Sequence, residues 1–174
     1  MNELDLRNLM YTGYAAFNGP FVIRYPRGKG EMKDWRNEMQ VLPIGKGKKL
    51  RDGDDIAVLS IGPIGNEVIK AIEMVKEEGV SIAHYDMIYL KPLDEELLHE
   101  IGRKYNRIIT VENGVIKGGF GSAVLEFMAD NGYTPHVKRI GVPDAFIEHG
   151  SIPELYQLCG MDAESIAKQL KKEN

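Results

Sequence analysis

One arrangement recurs three times along the 174-residue chain and constrains its fold more than any other feature: a short apolar run, a turn, then apolar residues at helical spacing. In the first unit, Ile56-Ala57-Val58-Leu59 leads into Gly62-Pro63-Ile64-Gly65 and then Val68, Ile69, Ile72 and Val75, which predicts strand, glycine turn and helix. In the second, Val80 to Met87 predicts a strand. Pro92 and Asp94 open a helix, Glu95 and Glu96 suit its first turn, and Leu97, Leu98 and Ile101 form its buried stripe. In the third, Arg107 to Val111 is the strand, Gly114 to Gly121 the connection, and Ala123, Val124, Phe127 and Met128 the inner face of a helix. A further strand is expected from His136 to Val142. Strands alternating with helices favour a mainly parallel sheet covered on both faces, and right-handed crossovers leave few topologies. The expected fold is therefore α/β: a three-layer α/β/α sandwich with a mainly parallel sheet of about five strands.

Two helices close the chain. Ser151-Ile152-Pro153-Glu154 is a capping box with Gly160 as the stop, and Asp162 precedes the stripe Ile166, Ala167 and Leu170. Val41 to Leu50 is a candidate fifth strand at a sheet edge, where its lysines discourage pairing with other chains; its direction is not readable. Arg51-Asp52-Gly53-Asp54 reads as a loop in a hairpin-like turn. The first forty residues break the pattern: an amphipathic helix (Leu4, Leu6, Leu9, Met10), a strand (Phe21 to Tyr25) and a polar stretch, Gly28 to Gln40, with the character of a linker. A lone helix and strand cannot build a core, so this segment either packs on the sandwich or belongs to a domain that lies upstream; separation is the favoured reading.

Charge and composition exclude several function classes. With 22 basic and 26 acidic residues the net charge is −4, which gives no positive field for a nucleic-acid backbone. MNELDLRNLM has no apolar run of the secretory kind and no stretch reaches membrane-spanning length, so no membrane association and a cytoplasmic location are expected. The single cysteine, Cys159, cannot close a disulfide within the chain and reads as a small core residue.

Chemistry-bearing residues are sparse. Gly62-x-x-Gly65 and Gly119-Phe120-Gly121 do not complete a dinucleotide-binding glycine pattern, and their simplest role is to let helices begin close to strand ends. His84, His99, His136 and His149 lack metal-site spacing, and Ser60, Ser122 and Ser151 lack a nucleophile setting. No catalytic, cofactor-binding or metal-ligating residue is expected. Glu112-Asn113 stands where open α/β sheets bind ligands, yet Glu112 could equally cap the amides of the glycine-rich turn. In Tyr25-Pro26-Arg27-Gly28, proline fixes the exit of the strand and places Arg27 at its end. Its planar fork suits a phosphate or carboxylate there, or a surface salt bridge; Arg24 is the fallback.

Taken together, FVIRYPRG (Phe21 to Gly28), LPIGKG (Leu42 to Gly47), YLKPLD (Tyr89 to Asp94), VENGVIKGGFG (Val111 to Gly121) and GVPDAFIEHG (Gly141 to Gly150) resemble the C-terminal portion of the 1-deoxy-D-xylulose-5-phosphate synthases. K-P-L-D and E-N…G-G-x-G occur widely in transketolase-like enzymes, whereas the Y-P-R-G and G-x-P-D-x-F-I-E-H-G runs point to the synthases. The resemblance implies an enzyme that condenses pyruvate with glyceraldehyde 3-phosphate using thiamine diphosphate and Mg2+, on the route to isoprenoids. It implies three domains, the first two holding the cofactor and the third supporting a homodimer. Met1 to Gln40 would then end the middle, pyrimidine-binding domain and Val41 to Asn174 form the third domain. Arg27 would grip the substrate phosphate. This chain alone would bind no cofactor and be inactive. The competing readings are the last domain of a transketolase or of a 2-oxo acid dehydrogenase β subunit, and a stand-alone anion-binding or subunit-interaction module.

Overall fold

In the computed structural model, residues 1–26, 28, 30, 32 and 34–171 are described. Five strands form one sheet: β1 (Lys48–Arg51), β2 (Ile56–Ile61), β3 (Ile82–Asp86), β4 (Arg107–Val115) and β5 (His136–Val142), in the order β1-β3-β2-β4-β5. All neighbours are parallel except β1, which runs antiparallel to β3. The helices are α1 (Glu3–Ala15), α2 (Gly65–Met74), α3 (Glu95–Lys104), α4 (Phe120–Asp130), α5 (Ile152–Leu158) and α6 (Ala163–Leu170).

Strand alternation divides the core in two. Ile56, Val58, Ile82, Ile109 and Val111 face one way and pack with Val68, Ala71 and Ile72 of α2 and Ile166 and Leu170 of α6. Ala57, Leu59, Ala83, Tyr85 and Ile108 face the other way, against Leu98 and Ile101 of α3 and Phe120, Val124 and Met128 of α4. This is the expected three-layer sandwich, and the two core clusters draw only on residues from Ile56 onward.

The helix signals act as their chemistry requires. Asp94 accepts from Leu97 N at 3.2 Å and Asp162 from Ser165 N at 3.2 Å, while Glu154 reaches back to Ser151 N at 2.9 Å. Gly160 ends α5 with φ +66°.

Several expectations are corrected. Phe21 to Tyr25 forms no strand; Val22 is 92% exposed, and alternation without a neighbouring strand does not make a sheet. The edge strand is confined to Lys48–Arg51, because Ile44 and Gly45 turn before it. Its partner is β3, so Arg51 to Asp54 does not close a hairpin; Asp55 N instead donates to Ser81 O at 2.8 Å. The second parallel strand is shorter than expected and the third runs on to Val115. Helix α1 is the largest departure, since the residues it buries are Asn8 and Thr12, while Met10 is 59% and Tyr14 88% exposed.

Within the buried sheet, Ser60 and His84 tie β2 to β3 through an Oγ to Nε2 contact of 2.8 Å. Burial pushes the His84 imidazole from 6.5 down to about 4. The unfolded chain therefore binds this proton more readily than the folded one. Stability from this residue is fully present above pH 6.5 and is lost as pH falls toward 4, by about 3 kcal/mol. Urea denaturation across pH 7 to 4 is expected to show a shallower fall in stability for His84→Gln than for the parent chain; equal slopes would remove His84 from the acid response.

Candidate functional site

The family-like motifs converge at the edge of the sheet where the parallel strands end. Beyond β3, Ile88 takes φ +54°, a rare conformation for a β-branched residue. Asp86 Oδ1 accepts from Ile88 N at 3.2 Å, and the bend tucks Tyr89 inward. The Phe21 ring meets Tyr89 edge-on at 6.4 Å, so the first residue of the F-V-I-R-Y-P-R-G run packs on Y-L-K-P-L-D. Asp94 of the latter holds L-P-I-G-K-G by accepting from Gly47 N at 2.9 Å and Lys46 Nζ at 3.4 Å. A Cβ at Gly47 would lie 2.9 Å from Leu97 and 3.1 Å from Asp86 O, which explains why glycine stands there.

Polar contacts join the half-buried Leu4, Leu6 and Leu9 in fastening α1 to this edge. Asn8 Oδ1 accepts from Gln40 N at 3.1 Å and Thr12 Oγ1 from Leu42 N at 2.8 Å. Lys48 Nζ lies 3.1 Å from Asp5 and 3.7 Å from Asp86, and the Met1 ammonium lies 2.6 Å from Asp5. Burial pushes the Asp86 carboxyl above its ordinary value, while the Met1 ammonium and Lys48 act in the opposite direction.

Glu112 resolves in favour of the cap. Its carboxylate accepts from Phe120 N and Gly121 N, each at 2.8 Å, and it is 5% exposed. Both oxygens thus occupy the positive end of α4, the seat that an anionic ligand would need. Gly119 and Gly141 crowd this carboxylate: a Cβ at Gly141 would lie 3.0 Å from Glu112 Cγ, and Gly119 is closer still. Of the glycines of V-E-N-G-V-I-K-G-G-F-G, Gly114 and Gly119 lie against this carboxylate, Gly121 against Thr110 and Arg139, and Gly118 turns the chain at φ +69°.

The other candidates do not come together. Arg27 lies outside the described residues. Arg24 is exposed, as are Tyr25 and Pro26. His99 Nδ1 contacts Tyr133 OH at 3.0 Å, and His136 and His149 are exposed. Ser122 accepts from Gly118 N at 3.0 Å and Arg139 Nη1 at 2.9 Å, a structural role. Cys159 is half-buried against the α2/α6 side of the core. No group of three or more metal-ligating side chains occurs among the described residues. What sequence reasoning missed is the charged chain Asp5, Lys48 and Asp86; its one sequence signal was a lysine in an edge strand.

A family model described as the transketolase C-terminal domain matches residues 45–166. The chain belongs to the transketolase C-terminal domain family. It is 98% identical over 174 residues to a protein of Parabacteroides distasonis named 1-deoxy-D-xylulose-5-phosphate synthase, matching the C-terminal region of that relative and covering all of this chain and 28% of it. A protein of the same name from Bacteroides thetaiotaomicron is 61% identical over 99% of this chain and 27% of its own length. The chain thus spans just over a quarter of these curated relatives. Among solved structures, a split-gene transketolase described as an inactive β4 tetramer aligns with TM-score 0.67 and 31% identity, over 76% of this chain and 45% of its own. A Campylobacter jejuni transketolase shares the fold, with TM-score 0.54 and 13% identity over 72% of this chain and 18% of its own. The transketolase C-terminal domain accounts for the sandwich, and its glycine-rich turn is the one that Glu112 fills.

Because amide bonds to a buried carboxylate are charge-assisted, Glu112→Gln is expected to destabilise the chain by about 2–3 kcal/mol, read as a lower urea midpoint with unchanged m-value. An unchanged midpoint would remove the capping role.

Proposed function

We propose that this chain is the C-terminal portion of a thiamine diphosphate-dependent 1-deoxy-D-xylulose-5-phosphate synthase, which condenses pyruvate with glyceraldehyde 3-phosphate. The observation that carries this reading is the 98% identity, unbroken over the whole chain, to a relative of that name. The Y-P-R-G and G-V-P-D-A-F-I-E-H-G runs support it against a transketolase or a dehydrogenase subunit. In this reading Met1 to Gln40 belongs to the preceding pyrimidine-binding domain and Val41 to Asn174 is the third domain, which supports a homodimer in the cytoplasm. No helix among the described residues is long and apolar enough to cross a membrane.

The described residues do not fit the cofactor or its Mg2+. The helix N-terminus that could seat a diphosphate is filled by Glu112, and Asp86 is already met by Lys48 and an internal amide. The cofactor and its metal belong to the preceding domains, and this chain's contribution to the reaction is binding. Arg27 grips the phosphate of the aldehyde, since a guanidinium presents two parallel donors to two oxygens and holds its charge at any working pH.

Two outcomes follow. In a full-length synthase, Arg27→Ala is expected to lower kcat/KM for glyceraldehyde 3-phosphate about 100-fold, or about 3 kcal/mol, with the KM for pyruvate nearly unchanged. Steady-state kinetics check this, and an unchanged constant for the aldehyde would return Arg27 to a structural role. The isolated chain, given thiamine diphosphate, Mg2+ and pyruvate, is expected to release no CO2, because the thiazolium must be held and its aminopyrimidine activated. Measurable CO2 would overturn the assignment as a non-catalytic portion.

A further inference from the structure

Of the family-like runs, Gly141 to Gly150 contributes least to the sandwich. Gly141 packs on Glu112 at the end of β5, but none of the residues from Val142 to Gly150 is buried, and Phe146 is fully exposed. A single exposed aromatic ring is ordinary on a protein surface, yet this one is held out on a braced loop. Just before it, Ala145 N donates to Pro143 O at 2.8 Å and Lys117 pairs with Asp144 at 3.1 Å. After it, the capping box of Ser151 and Glu154 fixes the start of α5. Ile147 is half-buried, so the loop commits one of its two large apolar side chains to the sandwich and offers the other to solvent.

Exposed aliphatic residues flank the ring along the chain and the sheet. Val115, paired with Val142 where the sheet ends, and Ile152, at the start of α5, each leave close to half of their surface open. An aromatic anchor with partly exposed aliphatic neighbours is the composition of an interface centre.

The position of the rest of the polypeptide indicates what covers this patch. The chain matches the C-terminal region of a relative of which it spans 28%, so most of such a polypeptide precedes Met1. Met1 stands at the same edge of the sheet as Phe146. A Cβ at Gly65, just beyond β2, would lie 2.9 Å from Met1 Sδ, and β2 and β5 run parallel with only β4 between them, about 10 Å apart. Gly28 of the leading segment also reaches the patch, since a Cβ there would lie 3.9 Å from Ile152 Cδ1. The chain that enters at Met1 thus arrives at the edge that presents Phe146, and its leading segment already touches a flanking residue.

We propose that Phe146 is a docking anchor: the Gly141 to Gly150 loop inserts this ring into an apolar pocket on the portion of the same polypeptide that precedes Met1, and so fastens the third domain to it. The proposal rests on the reading of this chain as the C-terminal portion of a longer synthase.

The test uses the full-length Parabacteroides distasonis synthase, numbered as in this chain, with the photoreactive p-benzoylphenylalanine in place of Phe146. Irradiation is expected to join position 146 to a peptide from upstream of Met1, in a product that keeps the mass of one chain on a denaturing gel. A cross-link between two chains, or none to the upstream portion, overturns the proposal. In Phe146→Asp, limited proteolysis is expected to release the third domain about tenfold faster than in the parent, whereas Phe146→Leu stays within about twofold of it. Equal rates in the parent and Phe146→Asp also overturn the proposal, and the cross-link decides alone if that variant fails to fold. Failure of the synthase reading is seen separately, as no 1-deoxy-D-xylulose 5-phosphate formed from pyruvate and glyceraldehyde 3-phosphate by the unaltered full-length protein.

Discussion

A strand buried on both faces governs this molecule. Ile56 and Val58 of β2 point into one core cluster and Ala57 and Leu59 into the other, all at 2% exposure or less. Such a strand can exist only between two helical layers, and each layer must be delivered by a crossover that starts from the same edge of the sheet. The turns of the parallel units therefore crowd together at one edge. That edge is where α1 docks, where Glu112 meets α4 and where the family-like motifs converge. Close packing there requires glycines at positions such as Gly47, Gly119 and Gly141.

What was legible in the sequence follows from this hierarchy. Runs such as Ile56-Ala57-Val58-Leu59 are apolar because two layers cover them, and Asp94, Glu154 and Asp162 announce helix starts because orphan amides need local acceptors. These are short-range demands, so a single sequence displays them. Phe21 to Tyr25 misled because an alternating sequence looks the same whether or not a neighbouring strand is there to pair with it. The antiparallel direction of β1 depends on a partner more than thirty residues away, and nothing local records it.

The candidate site was less legible for the same reason. Glu112 could be a ligand residue or a cap until the turn closed and brought amides eight and nine positions later to 2.8 Å. Helix α1 read as an amphipathic helix that belonged with an upstream domain, yet it buries Asn8 and Thr12 here, because the segment it meets offers backbone amides that need acceptors. The bridge through Lys48 unites three stretches of sequence, and only the fold reveals that they are neighbours.

The contact between Glu112 and α4 has a wider consequence. This carboxylate is a tethered ligand, held eight residues along the chain from its receptor at a high effective concentration. Phosphates and nucleotides in solution cannot displace it by mass action. The N-terminus of α4 is thereby closed to small anions, and the glycine-rich turn serves the sandwich as architecture.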